Sequence, residues 1–159
     1  MADDINIGLE RSAREEIAAG LSKLLADTFA IYLKTHGYHW NVVGPNFSGL
    51  HAMLEEQYNE TWNAVDLIAE RIRGLGAHAP QGYRTFSNLS GVQDGDPEKA
   101  WEGMLKELVA DHERFVADSQ AVRAKADKAG DDATTSLIDD RVLAHEKHAW
   151  MLRASLGGR

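Results

Sequence analysis

Residues 39–72 read HWNVVGPNFSGLHAMLEEQYNETWNAVDLIAERI, and the fold turns on this stretch. Gly44-Pro45 cannot continue a helix, so a turn is expected there. Asn46 or Ser48 suits the cap of the helix that follows. Beyond it, Leu50, Leu54, Tyr58, Val65, Ile68 and Ile72 recur at helical spacing on one stripe. Gly74 and Gly76 are plausible stops. The same stretch carries His39, His51, Glu55, Asp66 and Glu70. Two imidazoles and three carboxylates form a donor set that iron or zinc accepts. His51 with Glu55, and Asp66 with Glu70, are i,i+4 neighbours on one helix face. The two pairs stand about 16 Å apart along a straight helix, at about 1.5 Å per residue. One metal centre cannot reach both. Either they are two poor half-sites, or a second copy of the helix runs antiparallel and closes them across a two-fold interface.

Three more amphipathic segments flank this one. The first runs from about Ser12 to His39, with Ile17, Leu21, Leu24, Leu25, Thr28 and Tyr32 at helical spacing. Another is expected to start at Asp96-Pro97-Glu98, a cap followed by proline, with Trp101, Met104, Leu105, Leu108, Val109, Phe115 and Val116 on its stripe. Gly130-Asp131-Asp132 breaks it and caps a last helix carrying Leu137, Val142, His145, Ala149 and Leu152. Residues 74–96 form a long connection whose apolar part, Tyr83 to Val92, suits a short helix. The expectation is all-α: a single domain over residues 1–159, built as a four-helix bundle with a short helix in the long crossover between helices 2 and 3.

Composition narrows the function. The chain has no cysteine, which excludes thiolate metal sites and cysteine nucleophiles. Its start, MADDINIGLERSAREE, is not a secretory signal, and no apolar run is long enough to span a membrane. A cytoplasmic protein is the default. Net charge is −8, the first ten residues hold no Lys or Arg, and the last ten hold only Arg153 and Arg159. An acidic chain without a basic arm is repelled by phosphate. Di-iron sites inside a bundle use Glu-x-x-His motifs. No Glu here has His three residues on, so an intrabundle di-iron centre is not expected. His36 with His39, and His145 with His148, are i,i+3 pairs without an evident carboxylate partner; they read as structural or surface histidines.

The run HWNVVGPNF…LH, then Glu55, then D…AERI, closely resembles the Dps family of mini-ferritins, and so does HEKHAWMLRA at residues 145–154. The resemblance covers about Leu9 to Leu156. It implies a ferritin-like bundle assembled into a hollow homododecamer. It implies ferroxidase sites at two-fold interfaces, holding two iron ions each, with His39, His51 and Glu55 from one subunit and Asp66 and Glu70 from its partner. Zinc is a competitor for the same ligands. Hydrogen peroxide is the implied oxidant of Fe(II), and Trp40 a neighbouring redox-active aromatic. Position 55 is Glu where several members have Asp, which keeps the ligand atom and lengthens its reach. The family's acidic three-fold pores place Asp131 and Asp140 at pore positions, with Ser136 where some members have Asp. The family name also carries a second reading, a DNA-binding protein of the nucleoid, which the charge and the missing basic tail disfavour.

Overall fold

The computed structural model describes residues 5–158; residues 1–4 and 159, which belong to the tails read above for charge, lie outside the described residues. Five helices run in order: α1 Arg11–Asn41, α2 Phe47–Gly74, α3 Tyr83–Leu89, α4 Trp101–Ala129 and α5 Asp132–Ser155. There is no strand among the described residues. This is the expected four-helix bundle with a short helix in the crossover. Helices α1 and α2 pack as one hairpin, α4 and α5 as another; α1 lies against α4, and α3 rests on α1. Gly20 lets α1 and α4 approach closely, since a Cβ there would stand 2.8 Å from Val122 Cγ2.

The punctuation follows the sequence closely, with one difference. Gly130 ends α4 in the left-handed conformation at φ 73°, and Asp131 caps α5 by accepting from the Thr134 backbone N–H. Asn46 holds the cap position of α2 without a side-chain bond. The start of α4 falls at Trp101, not at Asp96-Pro97-Glu98. Asp96 instead closes a local turn: its side chain accepts from Glu98 N–H, its carbonyl from Lys99 N–H, and its own N–H is bonded to the Tyr38 hydroxyl. An Asx turn of this kind competes with a first helical turn.

The apolar core comes in two parts. One holds Ile17, Leu21, Leu24, Leu25, Ile31, Ile68, Ile72, Phe115 and Ile138 with their neighbours. The other holds Tyr38, Val42, Leu50, Leu54, Met104, Leu105, Leu108 and Leu152. Burying each large aliphatic side chain contributes about 1.5–3 kcal/mol, so the two ends clamp the bundle. Between them each long helix inserts buried polar residues: Thr35 from α1, Gln57 and Thr61 from α2, His112 from α4, and Arg141, His145 and His148 from α5.

Candidate metal centre

The turn at residues 42–46 returns the chain so that the last turn of α1 faces the first turn of α2. There His39 and His51 meet. Their rings stack with centroids 3.7 Å apart and planes 17° apart. His39 Nδ1 lies 2.8 Å from the His51 carbonyl, and His51 Nδ1 lies 2.8 Å from the His39 carbonyl. A carbonyl only accepts, so each Nδ1 must carry the proton and donate it. In the neutral ring that leaves Nε2 with a free lone pair, the form a metal ion requires. Two backbone carbonyls thus set the tautomer and orientation of both imidazoles.

Aromatic groups wall this pair. Tyr58 stacks on His36 at 3.8 Å and stands edge-on to His39 at 5.1 Å. The Tyr32 hydroxyl is bonded to His36 Nδ1 at 3.0 Å, which identifies His36 as a packed, structural histidine. Burial, then the adjacent His39, hold the His36 ring below the usual imidazole range, against the pull of Glu55. Trp40 tilts against His36 at 4.4 Å and leaves 62% of its surface exposed.

Glu55, one turn beyond His51, is exposed, and so are Asp66 and Glu70 farther along the same helix. Their carboxylates make no hydrogen bond or ion pair with another described residue. The buried stripe of α2 is Leu50, Leu54, Gln57, Thr61, Ala64, Ile68 and Ile72, so the acidic pairs occupy the outer surface of an unbroken helix. The 16 Å separation expected from spacing therefore applies, at about 1.5 Å per residue. Among the described residues, no three His, Asp or Glu side chains of one chain converge as a ready metal site.

The two Asp residues assigned to a pore differ. Asp140 is exposed. Asp131 is buried, 2.6 Å from an Arg71 guanidinium nitrogen and bonded to Thr134 through its backbone and side chain. Burial alone would raise its pKa; the bonds from Arg71 and Thr134 outweigh it and hold the carboxyl below the usual range. This carboxylate caps α5 and joins it to the end of α2.

Sequence patterning left one group unassigned. His145 and His148 are interior, not surface, and His112 of α4 meets them there. The signal was present: His112 sits four residues after Leu108 and three before Phe115, at a core position of its stripe.

The ferritin-like domain family matches residues 18–158. A DNA protection during starvation protein of Brevibacillus brevis is 31% identical over 93% of this chain and 99% of its own length. The chain belongs to the Dps family. A low temperature-induced protein of Nostoc is 36% identical over 98% of this chain and 88% of its own length. Among solved structures, the Dps protein of Vibrio cholerae, described as a member of a broad superfamily of ferritin-like diiron-carboxylate proteins, superposes with a TM-score of 0.91 at 30% identity, covering 98% of both chains. The bundle is therefore ferritin-like, with the α3 crossover of a Dps subunit. Among the described residues no helix is long and apolar enough to cross a membrane.

Proposed function

We propose that this Dps-family protein is an iron-storage and detoxification protein: a ferroxidase that oxidises Fe(II) and deposits ferric mineral inside a hollow homododecamer in the cytoplasm. The observation that carries the reading is the reciprocal bonding of His39 and His51, which places the proton of each neutral ring on Nδ1 and leaves Nε2 as the ligand atom, one turn from an unpaired Glu55. Imidazole and carboxylate ligands with open positions suit Fe(II) that must admit an oxidant. Asp66 and Glu70 of a second, antiparallel subunit complete each site, because their own helix carries them about 16 Å away. Exposed Trp40, Trp62 and Leu67 supply apolar surface for that contact.

Hydrogen peroxide is the oxidant in this reading. Two Fe(II) ions each give one electron; peroxide takes both electrons with two protons and leaves as two waters. Consuming iron and peroxide together withholds both from hydroxyl-radical formation. Zinc competes for the same ligands. Asp140 contributes to an acidic pore that draws cations inward, whereas Asp131 serves the helix cap. Trp40 stands where a one-electron oxidant made at the site would find an indole.

The test is peroxide-dependent Fe(II) oxidation by the wild type and by His39→Ala with His51→Ala. The double variant should keep its assembly and lose rapid oxidation. Oxidation at the wild-type rate would overturn the assignment.

A further inference from the structure

An aromatic cluster runs along the α1–α2 hairpin, and it begins beside the His39–His51 pair. Trp40 stands 4.4 Å from the His36 ring. His36 stacks on Tyr58 at 3.8 Å, with planes 14° apart, and lies 5.6 Å from Tyr32. Tyr32 in turn lies 5.0 Å from Trp62. Both indoles are more than half exposed, whereas Tyr32, His36 and Tyr58 are half-buried. We propose that Tyr32, through its hydrogen bond to His36, is a one-electron donor that restores Trp40 or Trp62 after either indole has been oxidised.

A phenol gives up an electron readily only where its proton has a base to go to, because the oxidised phenol is a strong acid. The Tyr32 hydroxyl lies 3.0 Å from His36 Nδ1. Ordinary pKa values of about 10 for a phenol and about 6.5 for an imidazole make the hydroxyl the donor and the ring nitrogen the acceptor. The other tyrosines lack one part of this arrangement. Tyr58 touches His36 and His39, but its hydroxyl bonds to no other described residue. The Tyr38 hydroxyl donates to the Glu107 carboxylate, but its ring meets no indole among the described residues. Beyond Tyr32 the cluster continues through Phe29, at 6.0 Å, and then Phe86. A phenyl ring has no hydroxyl proton to give and is far harder to oxidise, so the oxidising equivalent stops at Tyr32.

Electrons and protons balance. An oxidised, deprotonated indole takes one electron from Tyr32 and one proton from solvent. The Tyr32 proton moves to His36 Nδ1, which leaves an imidazolium beside a neutral tyrosyl radical. The source of the oxidant rests on the iron chemistry proposed above. One Fe(II) splits peroxide into hydroxide and a hydroxyl radical, and the radical takes an electron and a proton from an indole and leaves as water. A second Fe(II) then returns one electron to Tyr32, and His36 returns the proton. Two Fe(II) ions and one peroxide are consumed, as in the direct reaction, and every side chain is restored. The relay thus carries a radical away from an exposed indole and holds it on a half-buried phenol until the second iron arrives.

The test is run on full-length, iron-free protein, so its outcome does not depend on whether the His39–His51 site oxidises iron. Every protein carries Trp101→Phe and Trp150→Phe, which leaves Trp40 and Trp62 as the only indoles. Azide radicals made by pulse radiolysis oxidise the indoles, and absorption spectra follow the conversion of indolyl to tyrosyl radical. The parent should show a first-order conversion whose rate does not depend on protein concentration. Tyr32→Phe should abolish it. His36→Gln keeps an acceptor but loses the base, and should slow it at least about a hundredfold. Tyr83→Phe, outside the cluster, should leave it unchanged. No tyrosyl radical in the parent would overturn the proposal. An unchanged conversion in Tyr32→Phe would overturn it too, and so would its loss in Tyr83→Phe. Equal rates in the parent and in His36→Gln would also overturn it, by removing the base from the step.

Discussion

His39 and His51 hold each other in place, each ring giving its Nδ1 proton to the other's backbone carbonyl at 2.8 Å. The rings also stack, with centroids 3.7 Å apart, so removing one side chain takes away the face against which the other is held. The two ligands should therefore act as a unit. The single variant His51→Ala should lose nearly as much peroxide-dependent iron oxidation as the double variant with His39→Ala, about a hundredfold or more. Single variants whose losses multiply to give the double would show that the rings work independently.

The structural cost of the same change should be small. His51 is only half-buried, and one charge-neutral side-chain bond contributes about 1 kcal/mol. Urea unfolding of His51→Ala should show a loss of about that size. A loss above about 4 kcal/mol would mean that the pair is a stability element first.

The interior histidines predict a pH dependence. Burial is the largest cause holding His112 down to about 3 and His148 down to about 4, and it holds His145 well below the usual range. Arg141 adds to all three; Glu60 opposes and Lys147 adds at His148. Folded rings thus refuse protons that unfolded rings, at the ordinary 6.5, accept. Their contribution to stability is complete above that value and is lost as pH falls below it. Each ring removes up to about 1.4 kcal/mol per pH unit. Unfolding between pH 6.5 and 5 should show this slope, and His145→Phe should flatten it by about a third. Equal slopes would contradict neutral burial.

Asp131 separates a cap from a pore residue. Asp131→Ala removes the α5 cap and the partner of Arg71, and should destabilise by about 2 kcal/mol. Asp131→Asn retains a cap acceptor and should recover about half of that. If neither variant changes stability but both slow iron uptake, the carboxylate belongs to the pore.

Duplex DNA should not be retarded near neutral pH at physiological salt. Each chain carries a net −8, and assembly multiplies it. A mobility shift without added divalent metal would contradict this.

The helices were legible in the sequence because long 3.6-residue stripes survive a single reading, and Gly130 with Asp131 marked one boundary to the residue. Asp96-Pro97 misled because its cap chemistry serves a turn held by Tyr38, a long-range partner that local pattern does not reveal. The spacing of His51, Glu55, Asp66 and Glu70 was readable because all four lie on one unbroken helix. The carbonyl locking of His39 and His51 was not, since it depends on how the turn at residues 42–46 folds back. Nor was the interior histidine cluster: His112 and His145 are 33 positions apart and become neighbours only when α4 and α5 pair.

The central claim is that each oxidation site is shared between two chains, and co-assembly tests it directly. One variant carries His51→Ala and Glu55→Ala; the other carries Asp66→Ala and Glu70→Ala. Each alone should assemble with every site damaged. Dissociated and reassembled in equal amounts, they regenerate a whole site only where an intact His51/Glu55 half meets an intact Asp66/Glu70 half. Random pairing across a two-fold interface gives this in about a quarter of sites. Initial Fe(II) oxidation should therefore recover to about a quarter of the wild-type rate. Verified mixed assemblies with no recovery would contradict the shared site.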